Sequence, residues 1–399
     1  MTARNRPRNL FFRSVEPVPG NRLRLLQSGA EFFPALIAAI DAAQAEVHLE
    51  TYIFNVDPTT EAVRDALMRA ARRGVQVRLL IDGVGSRELD AGLLAELKTA
   101  GVSVLAYRPL AGRGWRSNPH SLRRLHRKLT VIDARIAFVG GMNLIDDFEP
   151  VRFDTPRLDF SVEVQGPLLA DIHQSVRRLW RLVALTQLQL QPDTRKAAIE
   201  PSWPTDGHMR AAFVVRDNFA HRRDIERAYL AALALAREEI ILANAYFLPG
   251  RRFRTMLKKA AARGVRVELL VQGHTDHPFF QAAARALYRD LLAAGVQIHE
   301  YQASELHAKV AVVDGHWATV GSSNIDPFSL MLAREANVVV DDAAFAHDLQ
   351  QRLRQAIHQS VALDPADWAR RPWLQRMLSW LAYGGVRAMV GLSGAGRWV

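Results

Sequence analysis

Leu125 to Asn143 reads LHRKLTVIDARIAFVGGMN, and Leu306 to Asn324 reads LHAKVAVVDGHWATVGSSN. Each stretch carries a His-x-Lys pair, His126 with Lys128 and His307 with Lys309. In each, an asparagine lies 17 positions after the histidine (143 − 126 and 324 − 307). On a strand, residues i and i+2 point to the same face, so each histidine and its lysine should project together. A lone histidine is more often a satisfied structural residue. Two copies at one shared spacing are hard to explain by chance.

Working outward, the likeness extends over both halves of the chain. VHLETYIF (Val47 to Phe54) is followed by a stretch of helical period, RRGVQVRLLIDG (Arg72 to Gly83) and AGVSVLAY (Ala100 to Tyr107). IILANAYF (Ile240 to Phe247), ARGVRVELLVQG (Ala262 to Gly273) and AGVQIHEY (Ala294 to Tyr301) repeat that order. Internal duplication of this kind sets the architecture. Short apolar runs alternating with amphipathic stretches predict βαβ units and a largely parallel sheet, hence an α/β fold in each half. The halves differ ahead of the histidines. Tyr107 and His126 are 19 positions apart, Tyr301 and His307 only 6 (126 − 107, 307 − 301), and the extra loop holds Arg108, Arg113, Trp115, Arg116, Arg123 and Arg124.

Composition narrows the chemistry. The 399 residues are 49% apolar and 23% charged, as in a folded globular protein. The formal charge of +11, from 52 basic and 41 acidic residues, favours anionic partners without choosing among them. There is no cysteine, which excludes disulfides, thiolate metal sites and a cysteine nucleophile. Arg4, Arg6, Arg8 and Arg13 make the N-terminus a basic arm with no signal-peptide core. No segment reads as a membrane span. The nearest, Met377 to Gly394, is short, rich in glycine and interrupted by Arg387, and suits an interface better. Along the C-terminal tail Trp373, Trp380, Tyr383 and Trp398 are interleaved with Arg376, Arg387 and Arg397, which suits a membrane surface.

Duplicated halves that pack face to face would bring two imidazoles and two ammonium groups into one site. One imidazole can attack phosphorus to give a phosphohistidine while the other gives or takes a proton. Lys128 and Lys309 would offset charge on the phosphate oxygens, and the amides of Asn143 and Asn324 would bind them. Asp159 and Glu335, at matching points of the repeat, can hold the far ring nitrogens. Asp133 and Asp314, each 7 positions after its histidine (133 − 126, 314 − 307), are further candidates for the catalytic set. Each follows its histidine by an odd number of positions, and Asp314-Gly315 is a hairpin signal, so a structural role is expected for both. His274, Asp276 and His277 sit in a turn-rich loop without a matching third ligand nearby, and no metal or other cofactor is called for.

The doubled HRKLTVID and HAKVAVVD, followed by GGMN and GSSN, resemble the two HKD motifs of the phospholipase D superfamily. That resemblance runs from about Arg22 to Asp342, and within the superfamily ETYIF, RRGVQVRLLIDGVGS and HAKVAVVDGHWATVGSSNIDP are similar to bacterial cardiolipin synthases, most closely the short B type, which lacks the two N-terminal spans of longer relatives. The resemblance implies two phospholipase D-like α/β sandwich halves with one active site at their interface. The residues themselves divide the chain into a basic arm (1–21), a first half (22–190), a linker holding Pro192, Pro201 and Pro204 (191–208), a second half (209–360) and an amphipathic, membrane-associated tail (361–399). The resemblance further implies transfer of a phosphatidyl group from phosphatidylglycerol to a second phosphatidylglycerol, releasing glycerol. His126 would be the nucleophile and His307 the acid and base, although near-equivalent halves allow the reverse. The expected partners are anionic phospholipid and the surface of the bacterial inner membrane, bound peripherally, and no nucleic acid. The competing activity is hydrolysis of phospholipid or nucleic-acid phosphodiesters at the same site. One departure is Ala134-Arg135, where many relatives place a turn pair such as Asp-Gly.

Overall fold

A computed structural model describes residues 16–55, 57–109, 123–148, 153–189, 199–274 and 277–392. The basic arm up to residue 15, Arg113, Trp115 and Arg116 of the inserted loop, much of the linker, Asp276, Arg397 and Trp398 lie outside them.

The first half runs β1 (Val18–Gln27), α1 (Ser28–Ala42), β2 (Glu46–Thr51), α2 (Pro58–Arg72), β3 (Gln76–Asp82) and α3 (Ala91–Thr99). It continues with β4 (Ser103–Tyr107), β5 (Lys128–Ile132), β6 (Ile136–Gly140), β7 (Phe160–Gln165) and α4 (Leu169–Thr186). The second half runs β8 (Met209–Arg216), α5 (Asp224–Leu235), β9 (Glu239–Asn244), α6 (Arg251–Ala262), β10 (Arg266–Gln272) and α7 (Pro278–Leu292). Then come β11 (Gln297–Tyr301), β12 (Lys309–Val313), β13 (Trp317–Gly321), α8 (Pro327–Met331), β14 (Glu335–Asp341) and α9 (Ala343–His358). Strand β15 (Ser360–Ala362) and helices α10 (Pro365–Ala369) and α11 (Trp373–Leu392) complete it.

The strands form one sheet in the order β15-β11-β10-β9-β12-β13-β14-β8-β1-β7-β6-β5-β2-β3-β4. Read outward from the antiparallel β1–β8 contact, the two halves have the same order, with β15 added at one edge. Only β2–β3, β3–β4, β9–β10 and β10–β11 are parallel. The expected largely parallel sheet is thus corrected to a mixed one. The βαβ units supply the parallel strands, but each His-x-Lys strand turns straight back through a tight hairpin, which forces antiparallel pairing.

Those hairpins show why the third motif residue is an aspartate. Both central residues have positive φ: 51° and 51° at Asp133 and Ala134, 51° and 61° at Asp314 and Gly315. That is the requirement of a type I′ turn. Helix ends repeat as well. Gly74 and Gly264, at φ 87° and 89°, follow α2 and α6 and terminate them in the left-handed conformation, which explains the recurring Arg-Gly-Val.

Helices α1 to α3 cover the outer face of the first half, and α5 to α7 that of the second. Between the halves lies a shared apolar cluster to which β5, β6, β12 and β13 contribute Val131, Val139, Val310 and Val320. Ile172 and Val176 of α4 and Leu349 and Leu353 of α9 complete it. Burying one common layer clamps the two halves face to face.

Candidate active site

Two short backbone bridges fix the site. His126 N donates to Arg334 O at 2.9 Å, and His307 N donates to Leu158 O at 2.9 Å. Each bridge ties the approach to one His-x-Lys strand to the residue just before the acid of the other half. As a result the carboxylates cross over. Glu335 Oε1 lies 2.9 Å from His126 Nδ1, and Asp159 Oδ2 lies 2.6 Å from His307 Nδ1. With Nδ1 turned to a carboxylate, each ring keeps its proton there and leaves Nε2 for a substrate. Both acids are buried, Glu335 fully, while the histidines are partly open.

Lys128 and Lys309 are buried beside them. Lys128 Nζ donates to the carbonyl of His126 at 2.7 Å, and Lys309 Nζ donates to that of His307. Burial depresses both ammonium groups, Lys128 to about 7 and Lys309 to about 8. The nearby Lys309 charge lowers Lys128 further, against the pull of Glu335. Burial also lowers the histidines, His307 furthest, with Lys309 and Arg157 adding to the effect. Asp159 is raised by burial to about 6. The site therefore favours neutral imidazoles facing two reluctant cations, an arrangement suited to an anion that would restore the missing charge.

The rings border a cavity of about 650 Å³. Asn143 and Asn324 line it. Asn143 Oδ1 accepts from Ile53 N at 3.2 Å, which leaves its amide N–H groups to donate. The side-chain carbonyl of Asn324 is buried without a partner among the described residues.

Asp133 and Asp314 stand elsewhere, at the far ends of β5 and β12 from the histidines. Asp133 accepts from the amides of Gln44, Ala45 and Glu46, each at 2.8 Å. Asp314 accepts from those of Arg237, Glu238 and Glu239 at 2.9–3.0 Å. Their place in the catalytic set is corrected accordingly: their carboxylates are committed to backbone that starts β2 and β9.

Several contributors escaped the sequence reading. The Tyr52 ring lies 5.1 Å from the His126 ring and 5.4 Å from Lys128 Nζ. Asp82 accepts from Leu125 N at 2.8 Å, and Gln272 Oε1 accepts from Leu306 N at 2.6 Å, so each braces the residue before a histidine. The matched IDG and VQG at the ends of β3 and β10 were the available signal. Arg157 and Glu305, paired at 3.0 Å, border the cavity. His277 lines it too, whereas the ring of His274 meets Phe153.

Among the described residues, one group has metal-ligand spacing: Glu46, His48 and His173. It lies outside the cavity's lining. Arg78 Nη1 stands 3.0 Å from His48 Nε2 and 3.2 Å from Glu46 Oε2, so a guanidinium already holds the position a cation would take.

Comparison with known proteins bears on this geometry. The family described as "Cardiolipin synthase, PLD-like domain" matches residues 36–148 and 229–357, one segment in each half. Cardiolipin synthase B of Escherichia coli (strain K12) is 40% identical over 387 residues, which cover 94% of this chain and 90% of that one. Cardiolipin synthase A of Yersinia pseudotuberculosis serotype O:1b is 31% identical, over 92% of this chain and 76% of that one. The crystal structure of phosphatidylserine synthase from Haemophilus influenzae Rd KW20 covers 95% of this chain and 97% of its own at a TM-score of 0.68. Its 13% identity makes that a likeness of fold alone.

Proposed function

The chain belongs to the phospholipase D superfamily, in its cardiolipin synthase-like family, and on that premise we propose that it moves a phosphatidyl group from phosphatidylglycerol to a second phosphatidylglycerol. It is a phosphatidyltransferase. The observation that carries the chemistry is the crossed pair of dyads, with two Nε2 atoms left to face one cavity. His126 Nε2 attacks phosphorus, the bond to the glycerol oxygen breaks, and His307 gives that oxygen a proton. The terminal hydroxyl of a second phosphatidylglycerol then surrenders its proton to His307 and attacks phosphorus. The P–N bond breaks and His126 is released. Lys128 and Lys309 offset charge on the non-bridging oxygens, and Asn143 and Asn324 donate to them. Burial depresses His307 most and the lysine charges add to it; the arriving phosphate offsets those charges and so favours the protonated imidazole that an acid step needs.

A membrane surface suits the tail. Helix α11 docks on α7 through Ala382, Tyr383, Val386 and Val390, and leaves Trp373, Leu374, Met377, Leu378 and Leu381 exposed. No helix of the described residues is long and apolar enough to cross a membrane. An exposed apolar stripe beside Arg371 and Arg376 supports peripheral attachment to anionic lipid.

The test is product analysis. Purified protein given phosphatidylglycerol vesicles should release cardiolipin and glycerol in equal amounts, detected by mass spectrometry. Quenching in denaturant mid-reaction should leave a phosphatidyl adduct on His126. No lipid product, with DNA cleavage that disappears in His126→Ala, would sink the proposal, and an adduct on His307 would reverse the roles.

A further inference from the structure

The cavity is lopsided although its catalytic groups are matched. Glu50 stands opposite Leu129 and Asn244 opposite Lys309, so Tyr52 and Ala245 occupy equivalent places one or two residues further on. Tyr52 fills the first-half side against His126. Ala245 puts no ring at that place, and the next residue, Tyr246, lines the cavity with its ring 5.8 Å from that of His277. From there the cavity runs along α7, where Phe280, Ala284 and Tyr288 all line it. Their i, i+4, i+8 spacing makes one stripe about 12 Å long at 1.5 Å per residue. Phe247 and Phe328 line the cavity as well, Phe328 with its ring 5.4 Å from that of Phe280.

Two polar neighbours of this arm, Gln281 and Asp326, are already engaged. Gln281 Nε2 donates to the carbonyls of Gln272 and Gly273, and Asp326 accepts from the amides of Phe328 and Ser329. Tyr288, buried and 5.5 Å from the ring of Trp368, marks the far end of the stripe. Among the described residues the first half builds no equivalent. Its corresponding helix α3 has 9 residues against 15 in α7, and lends none of the cavity's lining.

We propose that this arm holds one acyl chain of the phospholipid whose phosphate lies between the histidines, and that Tyr288 sets how much of the chain it accepts. The proposal rests on the phosphatidyl-transfer reading and adds to it a place for the chain. An apolar channel continuous with a cationic centre matches an amphiphile with its phosphate at one end. Inorganic phosphate or a nucleic acid would leave that wall facing water. A chain drawn from a micelle is already out of water, so what the arm adds is the closer packing of its wall around each methylene.

The test is a chain-length series: dihexanoyl-, didecanoyl- and dipalmitoyl-phosphatidylglycerol at fixed surface concentration in mixed micelles. For the wild type, kcat/KM should climb with chain length until the arm is full. Ala284→Phe should cut kcat/KM on the dipalmitoyl lipid by roughly tenfold or more relative to the dihexanoyl lipid, because the added ring occupies the channel. Tyr288→Ala should move the preference to longer chains. Ala284→Leu, a smaller intrusion, should give a graded version of the same shift and serves if the phenylalanine variant does not fold. A flat chain-length profile, or equal losses at every length in the variants, overturns the arm while turnover leaves the transfer chemistry standing. Absence of turnover with every lipid overturns the phosphatidyl reading and the arm with it.

Discussion

The two dyads repeat one arrangement with different parts. In one, Glu335 reaches His126, and the hydroxyl of Ser322 donates to its other oxygen. In the other, the shorter Asp159 reaches His307, and its other oxygen accepts from Phe160 N at 2.8 Å. The register places Gly141 where the second half has Ser322. A β-carbon on Gly141 would lie 2.2 Å from Asp159 Oδ1. The glycine therefore makes room for a carboxylate that occupies the space a serine side chain fills elsewhere. Duplication has preserved a carboxylate near 2.6–2.9 Å from each ring nitrogen, and has let residue identity drift in pairs.

The strongest way to break that comparison is to neutralise each acid. Glu335→Gln and Asp159→Asn should each lower kcat by about 10²- to 10⁴-fold, because an amide no longer favours the Nδ1–H tautomer or the imidazolium. Gly141→Ala should fall in the same range, since its methyl group must push Asp159 off His307. The matched Ser322→Ala loses only one hydrogen bond and should cost roughly two- to tenfold. Steady-state kinetics on phosphatidylglycerol vesicles would separate these. Wild-type turnover by the Gly141 variant would show that the two positions are not coupled to their acids in the way described.

A smaller effect concerns pH. Lys128 and Lys309, held at about 7 and 8, carry their charge below those values and lose it as pH rises through them. The histidines are lowered, so their neutral forms persist to more acidic pH than a free imidazole would allow. A profile of kcat/KM, which reports the free enzyme, should accordingly fall on its alkaline side between about pH 7 and 9. Activity that stays level to pH 10 would mean the lysines are charged throughout, and that burial does not depress them.

Much of the site was readable because its residues are repeated at fixed offsets. His126 and His307, their lysines, and the asparagines 17 positions on (143 − 126, 324 − 307) needed no coordinates. Asp159 and Glu335 were found by matching the repeat, but not which ring each would meet. That depends on the bridges from Arg334 to His126 and from Leu158 to His307, contacts between halves that leave no local signature. The antiparallel pairings of the sheet are hidden in the sequence for a related reason. The βαβ alternation before each motif is loud, whereas one hairpin is written Asp314-Gly315 and the other is disguised as Asp133-Ala134. The arm along α7 was invisible because an apolar stripe at helical spacing looks the same whether it faces a core or a cavity.

That disguised hairpin supplies the smallest and cleanest comparison. Both turns need positive φ at their second central residue, where Gly315 sits without strain and Ala134 carries a β-carbon at φ 51°. The left-handed region costs a non-glycine residue roughly 1–2 kcal/mol. Three amide hydrogen bonds to Asp133 hold the first turn in spite of that cost. Ala134→Gly should therefore stabilise the protein by about 1 kcal/mol, and Gly315→Ala should destabilise it by a similar amount, both read from denaturant midpoints. Neither should change kcat, because the hairpins lie at the ends of β5 and β12 away from the histidines. Asp133→Asn should likewise lower the midpoint while the folded fraction keeps its turnover. Loss of turnover in that variant at full folding would return Asp133 to the catalytic set, and would mean that the hairpin transmits its geometry along β5 to Lys128.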